Sequence, residues 1–567
     1  MAFEKLSKTM RNFDEFDLKN FLGDLKNSLI EWQVGDDGIN KQEIIDILIA
    51  TEGINLFKDS KFKGFKEYFY LCSDIKDLRI YCEKAGVVFD ESNIESVAKK
   101  LANITFAENE LYKYLLIDEF GLNDYSFDVL QDNNPIERLC FSGEKFFELY
   151  DYQYMIKQQT IHDIENPEKD LYRILIHMPT GTGKTKTTMH IISHYLNFVT
   201  KGNGLIVWIA HTNELLQQAY ETFVNVWSHL GTFDTNIYKG WNGYPDEFEN
   251  GILFTSIQSL MKKEKTPVFD YIDTHASLIV FDEAHKSGAR QYGRCVNDLM
   301  RYGNEYGKKF IGLTATPGRT TEVSKENTIF SNDYDHIIGI DVDLVNSITL
   351  NKNEAENYSG SKDVIRYFQD KKILSIIKRE LLDYDEVDPD IIKRIEKELR
   401  NKNDDFSKDL LEVISKNTNR NIRIVEELQR LNDNNIPTIV FACSLKHAKM
   451  LSAILKLNGI KNSLVHGDMD RYSRQKAISD FKNRDNDINV IVNYEILTTG
   501  FDSTNIKCVF ITRPTKSVIL YSQMIGRGLR GPKMGGNAEC LLIDVKENLM
   551  SFNENDAFKH FDEYWRY

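Results

Sequence analysis

The stretch MPTGTGKT at residues 178–185 decides the fold of this chain. It follows an apolar run at residues 174–178 and precedes a segment with helical character, which is the strand–loop–helix context of a phosphate-binding loop. Glycines in such a loop let backbone N–H groups approach phosphate oxygens, and the following helix adds its positive N-terminal end. Lys184 is placed to reach the β- and γ-phosphates of a nucleotide, and the Thr185 hydroxyl is placed to hold Mg²⁺. The first position is usually Gly or Ala and is Met178 here, while the TGTGKT core is complete.

Short apolar runs around this loop and near the C-terminus predict the buried strands of two α/β units. Such runs, separated by helical stretches, are typical of parallel strands that are covered on both faces. The first set of strands is predicted at residues 174–178, 205–210, 252–255, 278–281 and 310–313. The second set is predicted at residues 438–442, 462–465, 489–492, 508–512 and 540–543. The sequence therefore predicts two α/β domains, at residues 136–340 and 431–567.

The remaining segments have a helical pattern. Residues 1–135 show apolar residues three or four apart with few Gly or Pro, which predicts an all-helical accessory domain. Residues 341–430 are charged and helical in pattern, and we interpret them as a connector or insert between the α/β domains. Acidic charge is concentrated at the start of the chain, because residues 1–150 carry 18 Lys and Arg against 29 Asp and Glu, while the whole chain has a net charge of −15. This excess would repel nucleic acid, so the helical domain is predicted to bind a protein partner or to act in autoinhibition.

Composition excludes several classes of protein. With 41% hydrophobic and 28% charged residues, the chain is neither mainly disordered, nor collagen-like, nor a membrane bundle. No apolar run approaches the ~20 residues of a membrane-spanning helix, and no secretory signal is visible. The seven cysteines are scattered and form no CxxC pair, which indicates neither a disulfide framework nor a zinc knuckle. We therefore expect a cytoplasmic protein with no membrane segment.

Two carboxylates follow a predicted strand of the first α/β domain. They begin the DEAH sequence at residues 282–285. Asp282 suits a role in holding Mg²⁺, directly or through water, and Glu283 suits activation of an attacking water. Adjacent residues at a strand end can do both, because successive side chains point in different directions. The next predicted strand is followed by TATP at residues 314–317, a small hydroxyl cluster that simple turn chemistry would also explain.

The motifs TGTGKT, DEAH and TATP, followed by QMIGRGLR at residues 523–530, together resemble those of superfamily 2 helicases and translocases. The resemblance is closest to the branch of type III restriction Res subunits and XPB- or RadD-like DNA helicases, and it covers roughly residues 146–545. It implies two tandem RecA-like P-loop domains with parallel sheets, which bind one ATP and its Mg²⁺ between them. It also implies that hydrolysis requires closure of the two domains around the nucleotide.

The resemblance assigns roles at the ATP site. The candidate catalytic residues are Lys184, Asp282, Glu283, Gln523, Arg527 and Arg530. The candidate cofactor-binding residues are Gln153, Thr180, Gly181, Thr182, Gly183, Lys184, Thr185, Gly500 and Asp502, with Thr185 and Asp282 for Mg²⁺. Gln153 would read the adenine, and Asp502 would contact the ribose or the network between the domains. Arg527 and Arg530 would act as arginine fingers that stabilise charge on the transferring γ-phosphoryl group.

The resemblance also assigns contacts to nucleic acid, in the sequences HTNEL, TSIQSL and LTTGFD. The candidate residues are His211, Thr212, Thr255, Ser256, Thr498 and Thr499. Small polar groups and exposed N–H groups suit contacts to the phosphate backbone, which carry no base specificity. We therefore expect weak sequence preference and strong salt dependence of binding.

The function that the resemblance implies is that of an ATP-dependent DNA helicase or translocase acting on single-stranded or duplex DNA. Two alternatives stay open: an ATPase switch gated by nucleic acid or a partner, without unwinding, and an RNA helicase. The sequence shows no nuclease constellation, so any cleavage would come from a protein partner, and a nuclease bound through the N-terminal domain is a candidate. The branch occurs in restriction and phage-defence systems and in DNA repair, and both pathways are kept as expectations.

Overall fold

The computed structural model describes most of the chain. The described residues are 3–23, 25–26, 29, 39–104, 110–121, 135–139, 148–167, 171–245, 248–284, 290–300, 307–315, 334–342, 345, 364–384, 389–401, 405–469, 471–498, 505–545 and 547. They form an N-terminal group of helices followed by two separate sheets, both mostly or wholly parallel. The predicted fold class, two RecA-like α/β units after a helical region, is confirmed.

The N-terminal region is helical throughout its described residues. Helices α1 to α8 are Glu4–Met10, Glu15–Phe21, Lys41–Glu52, Asn55–Lys58, Lys63–Cys72, Ile75–Ala85, Ile94–Ala102 and Glu110–Tyr114. Helix α3 begins with a capping box, in which Asn40 Oδ1 accepts from Glu43 N at 3.0 Å and Asn40 N donates to Glu43 Oε2 at 2.8 Å. The ring of Phe65 packs tilted against Phe13 and edge-on against Phe57 in the core of this region.

The first sheet has eight strands. Strands β1 to β8 are Ile136–Leu139, Leu171–His177, Leu205–Ala210, Thr235–Lys239, Gly251–Ser256, Ala276–Asp282, Lys308–Thr314 and His336–Ile338. Their order is β1-β4-β5-β3-β6-β7-β2-β8, and only β1 is antiparallel to its neighbour. All five predicted strands are present, and they are the buried apolar ones. The sequence analysis missed β1, β4 and β8, because these shorter strands carry polar residues and lie at or near the sheet edges.

Helices cover both faces of the first sheet. Helices α9 to α14 are Asp151–Glu165, Lys184–His194, Asn213–Leu230, Ile257–Met261, Pro267–His275 and Arg290–Leu299. Alternate side chains of one strand enter two different cores, since Trp208 packs in one cluster while Val207 and Ile209 pack in another. This two-sided burial explains why the strands have uninterrupted apolar sequences.

The second sheet has six strands, all parallel. Strands β9 to β14 are Ile376–Leu382, Thr438–Phe441, Asn462–Val465, Val490–Asn493, Cys508–Ile511 and Glu539–Val545, in the order β11-β12-β10-β13-β14-β9. Helices α15 to α21 are Val364–Asp370, Pro389–Leu399, Lys408–Ser415, Thr418–Asp433, Leu445–Leu457, Arg471–Lys482 and Val518–Ile525. The five strands predicted for this domain are present.

The predicted helical connector at residues 341–430 requires a correction. It contains helices α15 to α18, but it also contains strand β9, which pairs with β14 over seven residues from Ile376 to Leu382. The sequence of this strand, IIKRELL, did not predict it, because its charged residues are also typical of a solvated helix. At the edge of a sheet, backbone hydrogen bonds to one neighbour hold the strand, and charged side chains protect the open edge from further pairing.

The N-terminal helices pack on the second sheet unit. Helix α3 lies against α19, and apolar residues of both helices belong to one continuous hydrophobic core. An ion pair between Lys449 Nζ and Glu52 Oε1, 2.6 Å apart and largely buried, joins the same two helices. The helical region is therefore packed against the second α/β unit through an apolar interface.

A buried ion pair joins distant segments of the second unit. Arg420 on α18 is fully buried, and its Nε donates to Glu547 Oε1 at 2.7 Å. Tyr384 donates to the same oxygen at 2.6 Å, and Arg420 Nη2 donates to the carbonyl oxygen of Thr512. The connector, the residue after β13 and the segment after β14 therefore meet around the Arg420–Glu547 ion pair.

Replacing Arg420 by methionine is expected to lower the free energy of unfolding by about 3 kcal/mol, because the Glu547 carboxylate would stay buried without its cation. Urea denaturation followed by tryptophan fluorescence measures this loss. Arg423→Met is the matched control on the same helix, since Arg423 is half-exposed and its ion pair among the described residues is a surface one with Glu426. Its effect should stay within about 0.5 kcal/mol. Equal urea midpoints for the two variants would contradict the expectation.

The search for membrane spans covered the described helices, and none of them combines the length and the apolar character needed to cross a bilayer. The cytoplasmic location stays a prediction. The described cysteines, which include all but Cys140, are free thiols.

Candidate active site

The phosphate loop lies between the end of β2 and the start of α10. Gly181 and Gly183 have φ angles of +86° and +85°, a left-handed conformation that favours glycine. Thr182 is fully buried, and its hydroxyl donates to the carbonyl oxygen of Pro179 at 2.7 Å. Helix α10 begins at Lys184, whose Nζ donates to the carbonyl oxygen of Met178 at 3.2 Å. The loop therefore presents a helix N-terminus and a lysine at the carboxyl end of a buried parallel strand, where anions bind.

Residues of α9 support the loop from behind. Gln153 is fully buried, and its Nε2 donates to the carbonyl oxygen of Thr182 at 2.9 Å. Its Oε1 accepts from the backbone N–H of Tyr150 at 3.0 Å, and the Tyr152 hydroxyl donates to the Thr182 oxygen at 2.8 Å. The structure thus places the predicted adenine reader beside the phosphate loop, with both ends of its amide held. Contact with the base itself stays a prediction.

Gly183→Ala is expected to weaken ATP binding by about tenfold or more, which corresponds to 1.4 kcal/mol. A Cβ on Gly183 would lie 2.4 Å from Gln153 Nε2, so the amide would have to leave Thr182. Equilibrium titration with a fluorescent ATP analogue measures the change. Gly459→Ala is the matched control, because Gly459 also has a positive φ of +72° but has open space where the Cβ would go. Equal ATP affinities for the two variants would contradict the expectation, because Gly459 lies in the turn between α19 and β11, away from the phosphate loop.

Two carboxylates end the central strand β6. Asp282 and Glu283 are largely buried, and the Glu283 N–H donates to Asp282 Oδ1 at 2.9 Å. Glu283 has a φ of +56°, which is strained for a residue with a side chain and is found most often at functional sites. Burial lowers the pKa of Lys184, while the negative charges of Glu283 and Asp282 oppose this and Arg527 adds to it. The side chains of Lys184, Asp282, Glu283 and Arg527 therefore interact electrostatically.

A histidine that the sequence analysis did not single out lies directly before the loop. His177 is buried at the end of β2, with Nε2 3.3 Å from the carbonyl oxygen of Ala315. Burial lowers the pKa of His177 to about 3, so the ring is neutral at physiological pH. It ties the phosphate loop strand to the TATP strand. Of the DEAH and TATP sequences, His285, Thr316 and Pro317 lie outside the described residues.

The predicted arginine motif lies against the phosphate loop. We call residues 526–534, which follow α21, the arginine loop. A Cβ on Gly526 would lie 2.5 Å from Thr180 Cγ2, so the two loops touch there. A Cβ on Gly181 would lie 3.8 Å from Arg530 Cγ, so this arginine also reaches the phosphate loop. The structure thus brings residues of the second unit onto the predicted phosphate site of the first, more than 300 residues away in sequence.

The other two residues of the motif are partly or fully enclosed. Arg527 Nη2 donates to the carbonyl oxygen of Thr498 at 2.8 Å. Gln523 is largely buried, and its Nε2 has no hydrogen-bond partner among the described residues. The candidate residues Thr499, Gly500 and Asp502 lie outside the described part of the chain.

The predicted nucleic-acid contacts of the first unit lie at the carboxyl ends of two neighbouring parallel strands. His211 and Thr212 follow β3, and Thr255 and Ser256 end the neighbouring strand β5. Thr212 and Ser256 use their hydroxyls to cap helices α11 and α12. Thr255 is fully buried, and its hydroxyl is hydrogen-bonded to that of Tyr244. The structure therefore brings the two motifs together, while the Thr255 side chain is used internally.

An ion pair that sequence reasoning missed connects the two units beside these motifs. Arg474 on α20 pairs through Nη1 with Oε1 of Glu214, which lies in the first turn of α11. Its Nη2 also donates to the carbonyl oxygens of Gly467 and Met469, at 3.1 and 3.0 Å. No sequence signal separates Arg474 from the other basic residues of α20, because its partner comes from the other sheet unit.

Comparison with known proteins follows the same division of the chain. Residues 146–319 match the family model "Type III restriction enzyme, res subunit", and residues 420–531 match "Helicase conserved C-terminal domain". The chain is 25% identical over 417 residues to "Putative ATP-dependent helicase IRC3" of Saccharomyces cerevisiae, covering 72% of this chain and 53% of that protein. It is 27% identical over 412 residues to "Type I restriction enzyme EcoAI endonuclease subunit" of Escherichia coli, covering 70% of this chain and 46% of that protein. The chain thus spans about half the length of these relatives.

Among solved structures, a fragment assigned to the HsdR subunit of a type I restriction enzyme from Vibrio vulnificus aligns over 85% of this chain and 80% of its own. The sequence identity is 18% and the TM-score is 0.48.

Proposed function

The chain belongs to the superfamily 2 helicases of the Res-like branch, and from this premise we propose that it is a DNA-stimulated ATPase that moves along DNA. The proposal rests on the contact between the arginine loop of the second unit and the phosphate loop of the first. Gly526 and Arg530 of the arginine loop lie against Thr180 and Gly181 of the phosphate loop. A site assembled from two units can be switched by their closure, which is what a motor requires.

The proposed roles at the ATP site follow from the positions of the side chains. Lys184 binds phosphate oxygens, and Glu283 orients and activates the attacking water. Arg527 and Arg530 stabilise charge on the γ-phosphoryl group from the opposite side of the cleft. Closure is therefore required before hydrolysis becomes fast.

The donor set around the phosphate loop fits Mg²⁺. A hydroxyl at Thr185 and a buried carboxylate at Asp282 are hard oxygen ligands, which this ion prefers beside nucleotide phosphates. When bound, Mg²⁺ neutralises charge on the phosphates. Asp282 also accepts the Glu283 N–H, so the two carboxylates are oriented together.

DNA is the proposed track because one relative is a restriction-enzyme endonuclease subunit and the first family model is that of a restriction Res subunit. The motifs after β3 and β5 offer helix N-termini and polar groups that suit phosphates of either nucleic acid. An RNA helicase and an ATPase switch without movement are therefore the alternatives. Restriction, phage defence or DNA repair is the proposed setting.

The N-terminal helices are proposed to bind a protein partner, with a nuclease as a candidate, or to restrain the second unit. Their acidic excess disfavours contact with nucleic acid. Since α3 shares a core with α19, deleting these helices would expose apolar surface, and point variants are preferable. A rise in basal ATPase in Glu52→Gln, which loosens the ion pair to Lys449, would support restraint; unchanged basal activity would count against it.

The test of the proposed function is steady-state ATPase of the full chain, alone and with single-stranded, duplex or forked DNA or with RNA, at two salt concentrations. We expect strong stimulation by DNA that weakens with salt and disappears in Lys184→Ala. Displacement of a triplex strand from duplex DNA then separates movement from switching. Stimulation by RNA alone would select the RNA helicase, and ATP binding without stimulation by any nucleic acid would select the partner-gated switch.

A further inference from the structure

The segment that links the two sheet units reaches both sides of the proposed ATP site. We call residues 364–382, which comprise α15, a short turn and β9, the connector segment. On α15, the ring of Phe368 packs edge-on against Tyr152 with centroids 4.8 Å apart, next to the buried Gln153. Farther along, Leu374 Cδ2 would lie 3.5 Å from a Cβ on Gly181. The connector segment thus touches the support of the phosphate loop and the loop itself.

The connector segment is also hydrogen-bonded to the arginine loop through its backbone. Gly531 N donates to the carbonyl oxygen of Ile373 at 2.8 Å, and Lys533 N donates to that of Lys372 at 3.0 Å. Ser375 N donates to the carbonyl oxygen of Leu529 at 2.8 Å. These bonds frame Arg530, which forms an antiparallel bridge with Leu374.

One side chain completes this pairing. Ser375 is fully buried, and its hydroxyl lies 2.7 Å from the carbonyl oxygens of both Arg530 and Asn537. The hydroxyl donates its one proton to one of these two oxygens and lies close to the other. Arg530 and Asn537 flank the turn at residues 531–536, so the serine holds both ends of that turn. A serine in this place specifies the backbone position of Arg530 without touching the phosphate loop through its own side chain.

A second side chain of the connector segment reaches the helix before the arginine loop. Tyr521 on α21 is buried and donates to Asp544 Oδ2 at 2.5 Å, and Asp544 is fully buried at the end of β14. Arg379 on β9 places Nη2 3.3 Å from the same oxygen. The Asp544 carboxylate thus fixes the orientation of α21, and Arg379 of β9 balances its charge. Helix α21 carries Gln523 and leads to Arg527.

We propose that Ser375 and Arg379 are positioning residues for the arginines of the composite ATP site, so that the connector segment couples the position of the arginine loop to that of the phosphate loop. The inference rests on the proposed function, because it assumes that Arg530 and Arg527 act on the γ-phosphoryl group. Positioning has large effects at such sites, where a displacement of about 1 Å can cost about 10²-fold in rate. Removing one hydrogen bond should displace the arginines by less than about 1 Å, so the expected loss of rate is smaller than about 10²-fold.

The test compares Ser375→Ala and Arg379→Met with the parent in DNA-stimulated ATPase. We expect kcat to fall about tenfold in each, with the KM for ATP and analogue affinity within about twofold, because neither side chain contacts the nucleotide. Arg379→Lys, which keeps the charge beside Asp544, should recover most of the loss. Ser452→Ala is the control, since Ser452 is equally buried but its hydroxyl bonds to Asn462 on another part of the same unit.

Arg530→Ala distinguishes failure of this inference from failure of the proposed function. If Arg530→Ala lowers kcat while Ser375→Ala and Arg379→Met behave like Ser452→Ala, the inference is overturned and the proposed function stands. If Arg530→Ala leaves kcat unchanged, the arginine role fails and the inference fails with it. Loss of ATP affinity and thermal stability in Ser375→Ala, in place of a kcat effect, would mark a merely structural serine and also overturn the inference. Equal kcat of Arg530→Ala with and without Ser375→Ala would support it, because the serine then acts only through the arginine.

Discussion

Replacing Arg527 by alanine is expected to lower kcat for DNA-stimulated ATP hydrolysis by about 10³-fold, with ATP binding nearly unchanged. Burial lowers the pKa of Lys184 and the charge of the Arg527 guanidinium adds to this effect, while Arg527 Nη2 donates to the Thr498 carbonyl oxygen. Arg527 therefore lies between the phosphate loop of the first unit and the segment of the second unit that includes Thr498. An arginine there stabilises charge that develops only in the transition state, so its loss affects kcat more than affinity.

Steady-state kinetics and analogue titration measure the two quantities separately. Arg527→Lys tests the geometry, because lysine keeps the charge but lacks the planar fork of donors. Arg423→Ala is the control for loss of a positive charge in the same unit, at a half-exposed site. A rate within tenfold of the parent in Arg527→Ala would remove this arginine from the proposed mechanism.

Glu283→Gln is expected to lower kcat by about 10²- to 10⁴-fold, the range that general base catalysis contributes. The substitution keeps the shape of a largely buried side chain whose backbone has a φ of +56°, so the fold and ATP binding should persist. The amide can still orient a water but cannot accept its proton. Single-turnover hydrolysis with prebound ATP is the direct measurement.

The matched control is Glu221→Gln, an exposed carboxylate on α11 that accepts a surface hydrogen bond from Gln217. It should hydrolyse ATP at the parental rate. Substantial activity in Glu283→Gln, above about a tenth of the parent, would assign water activation to another group.

Much of the fold could be predicted from the sequence, because it depends on local pattern. Runs such as residues 205–210 and 276–282 are buried on both faces, so their apolar character is continuous and visible without any structure. The phosphate loop and its neighbouring carboxylates lie at strand ends, where the sequence changes abruptly from apolar to polar. The local pattern was therefore sufficient to predict two α/β units, the phosphate loop and its neighbouring carboxylates, while the resemblance to superfamily 2 helicases supplied the RecA-like assignment and the candidate arginines.

The tertiary structure decided what depends on contacts between distant segments. Strand β9 is held by backbone hydrogen bonds to β14, which leave no apolar pattern in its own sequence. The pairs Arg474–Glu214 and Arg420–Glu547 join residues whose neighbours in sequence are ordinary charged helix positions. The approach of Arg530 to the phosphate loop likewise depends on how the two sheets pack. The sequence by itself determined which chemical groups are present and which strand ends carry them, because those are local properties; only the packing of the two units determined which groups meet, because close approach is a property of the folded chain.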